Sequence, residues 1–110
     1  MVALAAGLVV LVPFPFSDLS QSKLRPAVVL APVGRDDWLL CQITSNPYAD
    51  PTAIELAVAS FSRGSLQRTS YARPGKLFTA HSQLVVREVG ALTPSTLSLI
   101  IESVVKLLRG

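Results

Sequence analysis

The chain has 110 residues, with 10 lysines and arginines against 7 aspartates and glutamates, and a net charge of +3. Half of its residues are hydrophobic and 15% are charged, which excludes a disordered tail and suits one domain, residues 1–110, around one core. One cysteine excludes an intrachain disulfide, and with one histidine it offers no basis for a metal site or a metal cofactor.

The first sixteen residues carry no charge and could be mistaken for a signal peptide or a membrane anchor. They lack a basic start, Pro13 and Pro15 interrupt them, and they fall short of the ~20 apolar residues that span a bilayer. We therefore predict a buried first strand, Leu8–Val12, in a cytoplasmic protein without membrane contact.

Short apolar runs separated by turn residues predict the remaining strands. Eight prolines and six glycines favour many turns over a helix bundle. The predicted strands are residues 26–32, 38–44, 54–58, 70–73, 77–79 and 85–92. Residues 13–24 and 60–68 are predicted to be loops.

The C-terminus changes to helical periodicity. Thr93 is a candidate N-cap and Pro94 suits the first helical position. Apolar residues then recur at helical spacing, namely Leu97, Ile100, Ile101, Val104 and Leu108. We expect this face to pack on the strands, giving a mainly β (α+β) fold: a small antiparallel barrel with one C-terminal helix.

Positive charge is concentrated in one segment. Arg63, Arg68, Arg73 and Lys76 follow one another with no acid between them. Such a basic stripe suits a polyanionic partner, although a solvated surface loop would have the same composition.

The sequence contains no G-x-S-x-G motif, no phosphate-binding glycine loop and no cysteine pair. Arginines, hydroxyl residues and few acids remain. RNA is a substrate for which that set can suffice, because its 2′-hydroxyl attacks the adjacent phosphate and the enzyme supplies positioning, charge stabilisation and proton transfer.

Several segments together resemble the PemK/MazF family of toxin endoribonucleases. Residues 12–18 read V-P-F-P-F-S-D, and residues 23–30 read K-L-R-P-A-V-V-L. The resemblance continues through I-T-S at 43–45, S-Y-A-R at 70–73, K-L at 76–77 and V-G-A-L at 89–92. It covers nearly the whole chain in the family's order.

The resemblance implies an SH3-like barrel, a homodimer and the toxin of a type II toxin–antitoxin system. It further implies metal-independent, sequence-selective cleavage of single-stranded RNA, leaving a 2′,3′-cyclic phosphate or 3′-phosphate and a 5′-hydroxyl. A cognate antitoxin is the expected protein partner, and DNA binding by the toxin itself is not expected.

Carried over residue by residue, the family's catalytic pair falls on Arg25 and Thr44. Arg25 is expected to bind the phosphate and stabilise the transition state, with Thr44 as its hydrogen-bonding partner. The residues expected to bind RNA are Lys23, Ser45, Arg68, Arg73, Lys76 and Phe16. Phe14 and Phe16 could either stack bases or anchor the loop to the barrel.

The chain departs from the family pattern at two places. The family's Gly-Asp before the first strand is replaced by Gly7-Leu8. In members that use the later arginine, an acid follows two residues on, whereas here Arg73 is followed by Pro74 and Gly75. The proton acceptor is consequently open, with Asp18 as a candidate.

Two other functions fit the same fold. The related CcdB toxins share this barrel and inhibit DNA gyrase without nuclease activity, so the fold alone does not decide. An inactive member that only pairs with an antitoxin is the other alternative, since Gly75 stands where an acid is expected. The Arg25-Pro26 and Thr44 matches favour the nuclease.

Overall fold

The computed structural model describes residues 3–15 and 22–110, and these form seven antiparallel strands and a C-terminal helix. The strands are β1 (Leu8–Pro15), β2 (Ser22–Gly34), β3 (Asp37–Thr44), β4 (Ile54–Leu56), β5 (Phe61–Gly64), β6 (Ser70–His81) and β7 (Arg87–Leu92), followed by the helix α1 (Pro94–Arg109). Their order in the sheet is β4-β6-β3-β2-β1-β7-β5, curled into a nearly closed barrel. The predicted mainly β, SH3-like barrel with a C-terminal helix is confirmed.

The central strands are buried on both faces, which explains why they read as continuous apolar runs rather than as alternating ones. Val9 and Val10 are both fully buried although successive side chains of a strand point to opposite faces. Val9 belongs to a cluster that includes Val28, Cys41 and Ile100 of α1. Val10 belongs to a second cluster on the other face of the sheet.

Residues 70–73 and 77–79 were predicted to be two separate strands, but both belong to the single strand β6. Its pairing with β3 shifts between Ala72, which faces Ile43, and Leu77, which faces Cys41. Four residues of β6, 73–76, therefore lie opposite the single residue of β3 between Cys41 and Ile43. Pro74 lies in this irregular part of the pairing. Proline is tolerated there because no regular ladder hydrogen bond needs its missing N–H.

The segment predicted to be a loop at residues 60–68 contains the short strand β5. Phe61 pairs with Leu92 and Gly64 pairs with Gly90 of β7. Val58, predicted to lie in the preceding strand, is instead the first residue of a one-turn 3-10 helix. Residues 61–64 are extended because they pair with β7, which is distant in the sequence. No local hydrophobic periodicity predicts this pairing.

The helix begins as predicted, but its apolar residues do not all reach the core. The Thr93 hydroxyl oxygen accepts a hydrogen bond from the Thr96 N–H at 3.2 Å, and Pro94 opens the first turn. Ile100 is buried, whereas Ile101 is 40% exposed and Leu108 is 76% exposed. The expectation that the whole stripe packs on the barrel is therefore wrong. No helix in the described part of the chain is long and apolar enough to cross a membrane.

The pairing of β5 with β7 predicts a strong requirement for glycine at position 64. Gly64 has a φ of +68°, and an added Cβ would lie 2.3 Å from the carbonyl oxygen of Val89. We expect Gly64→Ala to lower the free energy of unfolding by about 1–3 kcal/mol or more, measured by urea denaturation. Gly75→Ala is the control, because its Cβ would make only an ordinary contact with Leu107. Equal stability of the two variants would contradict this close packing.

Candidate RNA-binding groove

The register of β2 against β3 brings the two predicted catalytic residues to the same end of the barrel. Val28 faces Cys41 and Ala27 faces Gln42 in this ladder. Arg25 and Thr44 lie two residues beyond the Ala27–Gln42 pair, at the same end of this ladder. Both side chains line one open groove of about 630 Å³, which we call the groove.

Among the described residues, four cationic side chains line this groove. Lys23 and Arg25 come from β2, Arg68 from the segment before β6, and Arg87 from the start of β7. Arg25 is half-buried and the other three are exposed. Sequence analysis predicted three of the four. Arg87 was not predicted, because it reaches the groove through the pairing of β7 with β1, in which it lies opposite Leu11. That pairing is a tertiary contact and leaves no local sequence signal.

Hydroxyl groups lie among these cations, and one of them belongs to Thr44, which is half-buried. Its oxygen accepts a hydrogen bond from the backbone N–H of Asn46 at 3.2 Å. A hydroxyl has one proton to donate and two lone pairs to accept with, so the Thr44 proton remains available to a ligand oxygen. Ser45, also predicted, lines the groove beside it and is exposed, as are Ser65 and Gln67.

One carboxylate, Glu88, lines the described part of the groove. It forms an ion pair with Arg63, whose side chain lies on the neighbouring strand β5. Sequence analysis missed Glu88 because the two residues are 25 positions apart in the chain. With four cations and one acid, the described part of the groove has a net positive charge that suits a polyanion.

Two of the predicted RNA-binding residues, Arg73 and Lys76, lie outside the groove lining. The Arg73 Nε donates to the Asp50 Oδ2 at 3.0 Å, and its guanidinium carbon lies 5.5 Å from the centre of the Tyr48 ring. The predicted basic stripe does not form one surface, because Arg63 and Arg73 are each paired with an acid and Arg68 alone of the four faces the groove.

The remaining aromatic and acidic candidates divide into two groups. Phe16 and Asp18 lie outside the described residues. Phe14 packs edge-to-face on Phe78, with ring centres 5.2 Å apart, so Phe14 anchors the end of β1 to β6.

Two further titratable side chains, Cys41 and His81, have structural roles. Burial raises the pKa of the Cys41 thiol to about 12, so this thiol is a poor nucleophile at neutral pH. The ring Nδ1 of His81 accepts a hydrogen bond from the Gln83 N–H at the start of a 3-10 turn. Within residues 3–15 and 22–110, no group of three His, Cys, Asp or Glu side chains is arranged to hold a metal ion.

Fold and groove together define a small SH3-like barrel with a basic, hydroxyl-lined groove at one end. The family model of the PemK-like, MazF-like toxins of type II toxin–antitoxin systems matches residues 5–108. The chain therefore belongs to that toxin family. None of the curated proteins compared with the chain matches it.

Solved structures share the fold at low sequence identity. MazF from Deinococcus radiodurans superposes with a TM-score of 0.77 at 17% identity, covering 100% of both chains. An endoribonuclease in complex with its cognate antitoxin, from a mycobacterial species, has a TM-score of 0.73 at 18% identity and covers 99% of this chain and 96% of its own. Toxin MazF-mt6 from Mycobacterium tuberculosis has a TM-score of 0.71 at 15% identity, with coverages of 93% and 96%.

Proposed function

We propose that this toxin is a metal-independent endoribonuclease that cleaves single-stranded RNA in the groove. One observation carries the proposal: Arg25 and Thr44 line the same groove, which three further cations make basic. Solved relatives of this fold are called endoribonucleases, which supports the same activity here. The proposed site of action is the cytoplasm, where messenger RNA is translated.

The proposed reaction uses the nucleophile that RNA itself carries. The 2′-oxygen attacks the adjacent phosphorus and loses its proton, the bond to the 5′-oxygen breaks, and that oxygen takes up a proton. The products are a 2′,3′-cyclic phosphate and a 5′-hydroxyl. Arg25 binds the phosphoryl oxygens, because a guanidinium offers a planar pair of donors that matches phosphate.

Thr44 completes the proposed phosphate site. Its oxygen already accepts a hydrogen bond from the Asn46 N–H, and its own proton remains available for donation to a phosphate oxygen. Lys23, Ser45 and Arg68 would contact flanking nucleotides along the groove. The proton acceptor has two candidates: Asp18, predicted from the sequence, and Glu88, which lines the groove.

We expect the purified protein to cleave a long mixed-sequence RNA in the presence of EDTA. Arg25→Ala should reduce the cleavage rate about 10²–10³-fold, because one preorganised donor to a developing negative charge contributes about that factor. Arg25→Lys should restore little, since a point charge lacks the planar pair of donors. Gel electrophoresis and end-group analysis of the products provide the measurement.

Arg109→Ala, at the exposed end of α1, is the matched control and should cleave normally. Circular dichroism must show native folding for every variant. Cleavage that requires an added divalent cation would contradict the mechanism, and a fully active Arg25→Ala would contradict the role of Arg25. A folded wild-type protein without any cleavage would favour the gyrase-inhibitor or inactive alternatives.

We further propose that the toxin is a homodimer. Ile101, Val105 and Leu108 form an apolar flank of α1, and each is at least 40% exposed in the isolated chain. A small domain with half of its residues apolar has more hydrophobic surface than one core can bury, and a second copy would cover this flank.

Light scattering at micromolar concentration should give twice the mass of the 11.7 kDa chain. The double substitution Ile101→Glu with Val105→Glu should yield a folded monomer, whereas Glu102→Lys on the same helix should leave the mass unchanged. A monomeric wild-type protein, or a dimeric double variant, would show that this flank is not the interface.

The proposed protein partner is a cognate antitoxin whose inhibitory segment is acidic and extended. A basic groove attracts such a segment by complementary charge, so binding would compete with RNA. Solved complexes of fold relatives with an antitoxin support the existence of such a partner.

Arg68→Glu should weaken antitoxin binding, measured by calorimetry, and moderate salt should weaken wild-type binding because surface charge pairs are screened. Lys76→Glu is the control, because Lys76 is exposed but lies outside the groove lining. Equal losses in both variants, or tight antitoxin binding that leaves RNA cleavage unaffected, would refute the groove as the antitoxin site.

A further inference from the structure

The loop between β3 and β4, residues 45–53, is attached to β6 by one side chain. Arg73 of β6 makes an ion pair with Asp50 in the loop, and its guanidinium group lies over the Tyr48 ring. The Arg73 and Asp50 side chains are only 18% and 13% exposed, so this ion pair is mostly withdrawn from solvent. The backbone at Arg73 is held as well, because its carbonyl accepts a hydrogen bond from the buried Cys41 thiol.

The loop has a conformation that it would not favour by itself. Tyr48 and Ala49 follow one another in the left-handed region, with φ values of 53° and 58°. For residues other than glycine this region is uncommon, and it persists where surrounding contacts enforce it. The ion pair and the ring contact from Arg73 supply such contacts on both sides of Ala49.

A series of hydrogen bonds runs from this strained turn to the groove. The Tyr48 N–H donates to the Asn46 Oδ1 at 2.9 Å, and the Asn46 N–H donates to the Thr44 hydroxyl oxygen at 3.2 Å. On the other side of the turn, the Asp50 Oδ1 accepts from the N–H and the hydroxyl of Thr52 at 2.9 and 2.7 Å. The orientation of the Thr44 hydroxyl therefore depends on where the loop is held.

We propose that Arg73 is a positioning residue, which acts through Asp50 and Tyr48 on the loop and thereby orients the Thr44 hydroxyl toward the groove. This inference rests on the proposed function, in which Thr44 donates to the phosphate. It assigns Arg73 a role different from the RNA contact that its place in the basic stripe predicted.

We call the Arg73–Asp50 ion pair, which holds the loop, the clamp. The charge state of Asp50 keeps this ion pair formed at neutral pH. Hydrogen bonds from Thr52, and then the Arg73 guanidinium, lower the pKa of Asp50 from 3.8 to about 2. Asp50 is therefore ionised in the folded protein at every pH well above 2, and its stabilising contribution is lost only as the pH falls through that value. The clamp is thus intact throughout the pH range in which RNA cleavage would be measured.

The test compares Arg73→Gln, Asp50→Asn, the double variant and the control Arg109→Gln, which removes an exposed arginine at the end of α1. The substrate is a short single-stranded RNA containing a site that the wild-type protein cleaves. We expect each single substitution to lower kcat about tenfold with KM changed less than twofold, because chemistry and not RNA binding depends on Thr44. The double variant should be no slower than the slower single variant, and Arg109→Gln should match the wild type.

The salt dependence of RNA binding separates positioning from direct contact. Removing one phosphate contact lowers the slope of log affinity against log salt by about 0.7 for a single strand. We expect Arg73→Gln to keep the wild-type slope. A reduced slope and a raised KM in Arg73→Gln, with wild-type behaviour of Asp50→Asn, would overturn the proposal and restore Arg73 as an RNA contact.

A second measurement does not depend on activity. Amide exchange measured by NMR should be at least tenfold faster at Asn46 and Tyr48 in Arg73→Gln and in Asp50→Asn, and unchanged in Arg109→Gln. Unchanged exchange in the first two variants would refute the clamp even if the wild-type protein cleaves RNA. Absence of cleavage by the wild type would instead count against the proposed function, while the exchange rates still decide whether the clamp exists.

Discussion

The pairing of β2 with β3 is the constraint on which the groove depends. Both strands are buried on both faces. A shift of register by one residue would therefore move the side chains of each hydrophobic cluster into the other cluster, where they would not fit. The register is therefore strongly specified by the core, and one core residue, Ile43, also lines the groove. Arg25 and Thr44 both line the groove because they lie just beyond the same end of a ladder that Val28 and Cys41 hold in place.

The charges of the molecule are distributed so that the groove retains its positive sign. Arg63 and Arg73 each neutralise an acid, Glu88 and Asp50, at the margins of the barrel. The cations in the groove outnumber its one described carboxylate by four to one. A polyanion would gain charge complementarity there that the modest net charge of +3 for the whole chain does not suggest.

The two ends of the β3–β4 loop have different roles. The contacts that stabilise the loop conformation are therefore linked to the proposed chemistry of the Thr44 hydroxyl. At one end, Thr44 and Ser45 face the groove; at the other, Asp50 is tied to β6. The left-handed turn between them stores backbone strain that Arg73 offsets with an ion pair and a ring contact. A hydroxyl in the groove can thus depend on an arginine that does not line it.

The sequence by itself determined the barrel, the C-terminal helix and its cap, and the family, because hydrophobic periodicity, turn residues and the motif around Arg25-Pro26 are local signals. Only the tertiary structure showed that β6 runs through Pro74, that residues 61–64 pair with β7, and that Ile101 and Leu108 stay exposed. Only the tertiary structure also showed that Arg87 and Glu88 line the groove. It showed further that Arg73 lies outside the groove and forms an ion pair with Asp50. These outcomes depend on which strands become neighbours in the closed barrel. Contacts between residues more than twenty positions apart are decided by that closure and leave no pattern in the local sequence.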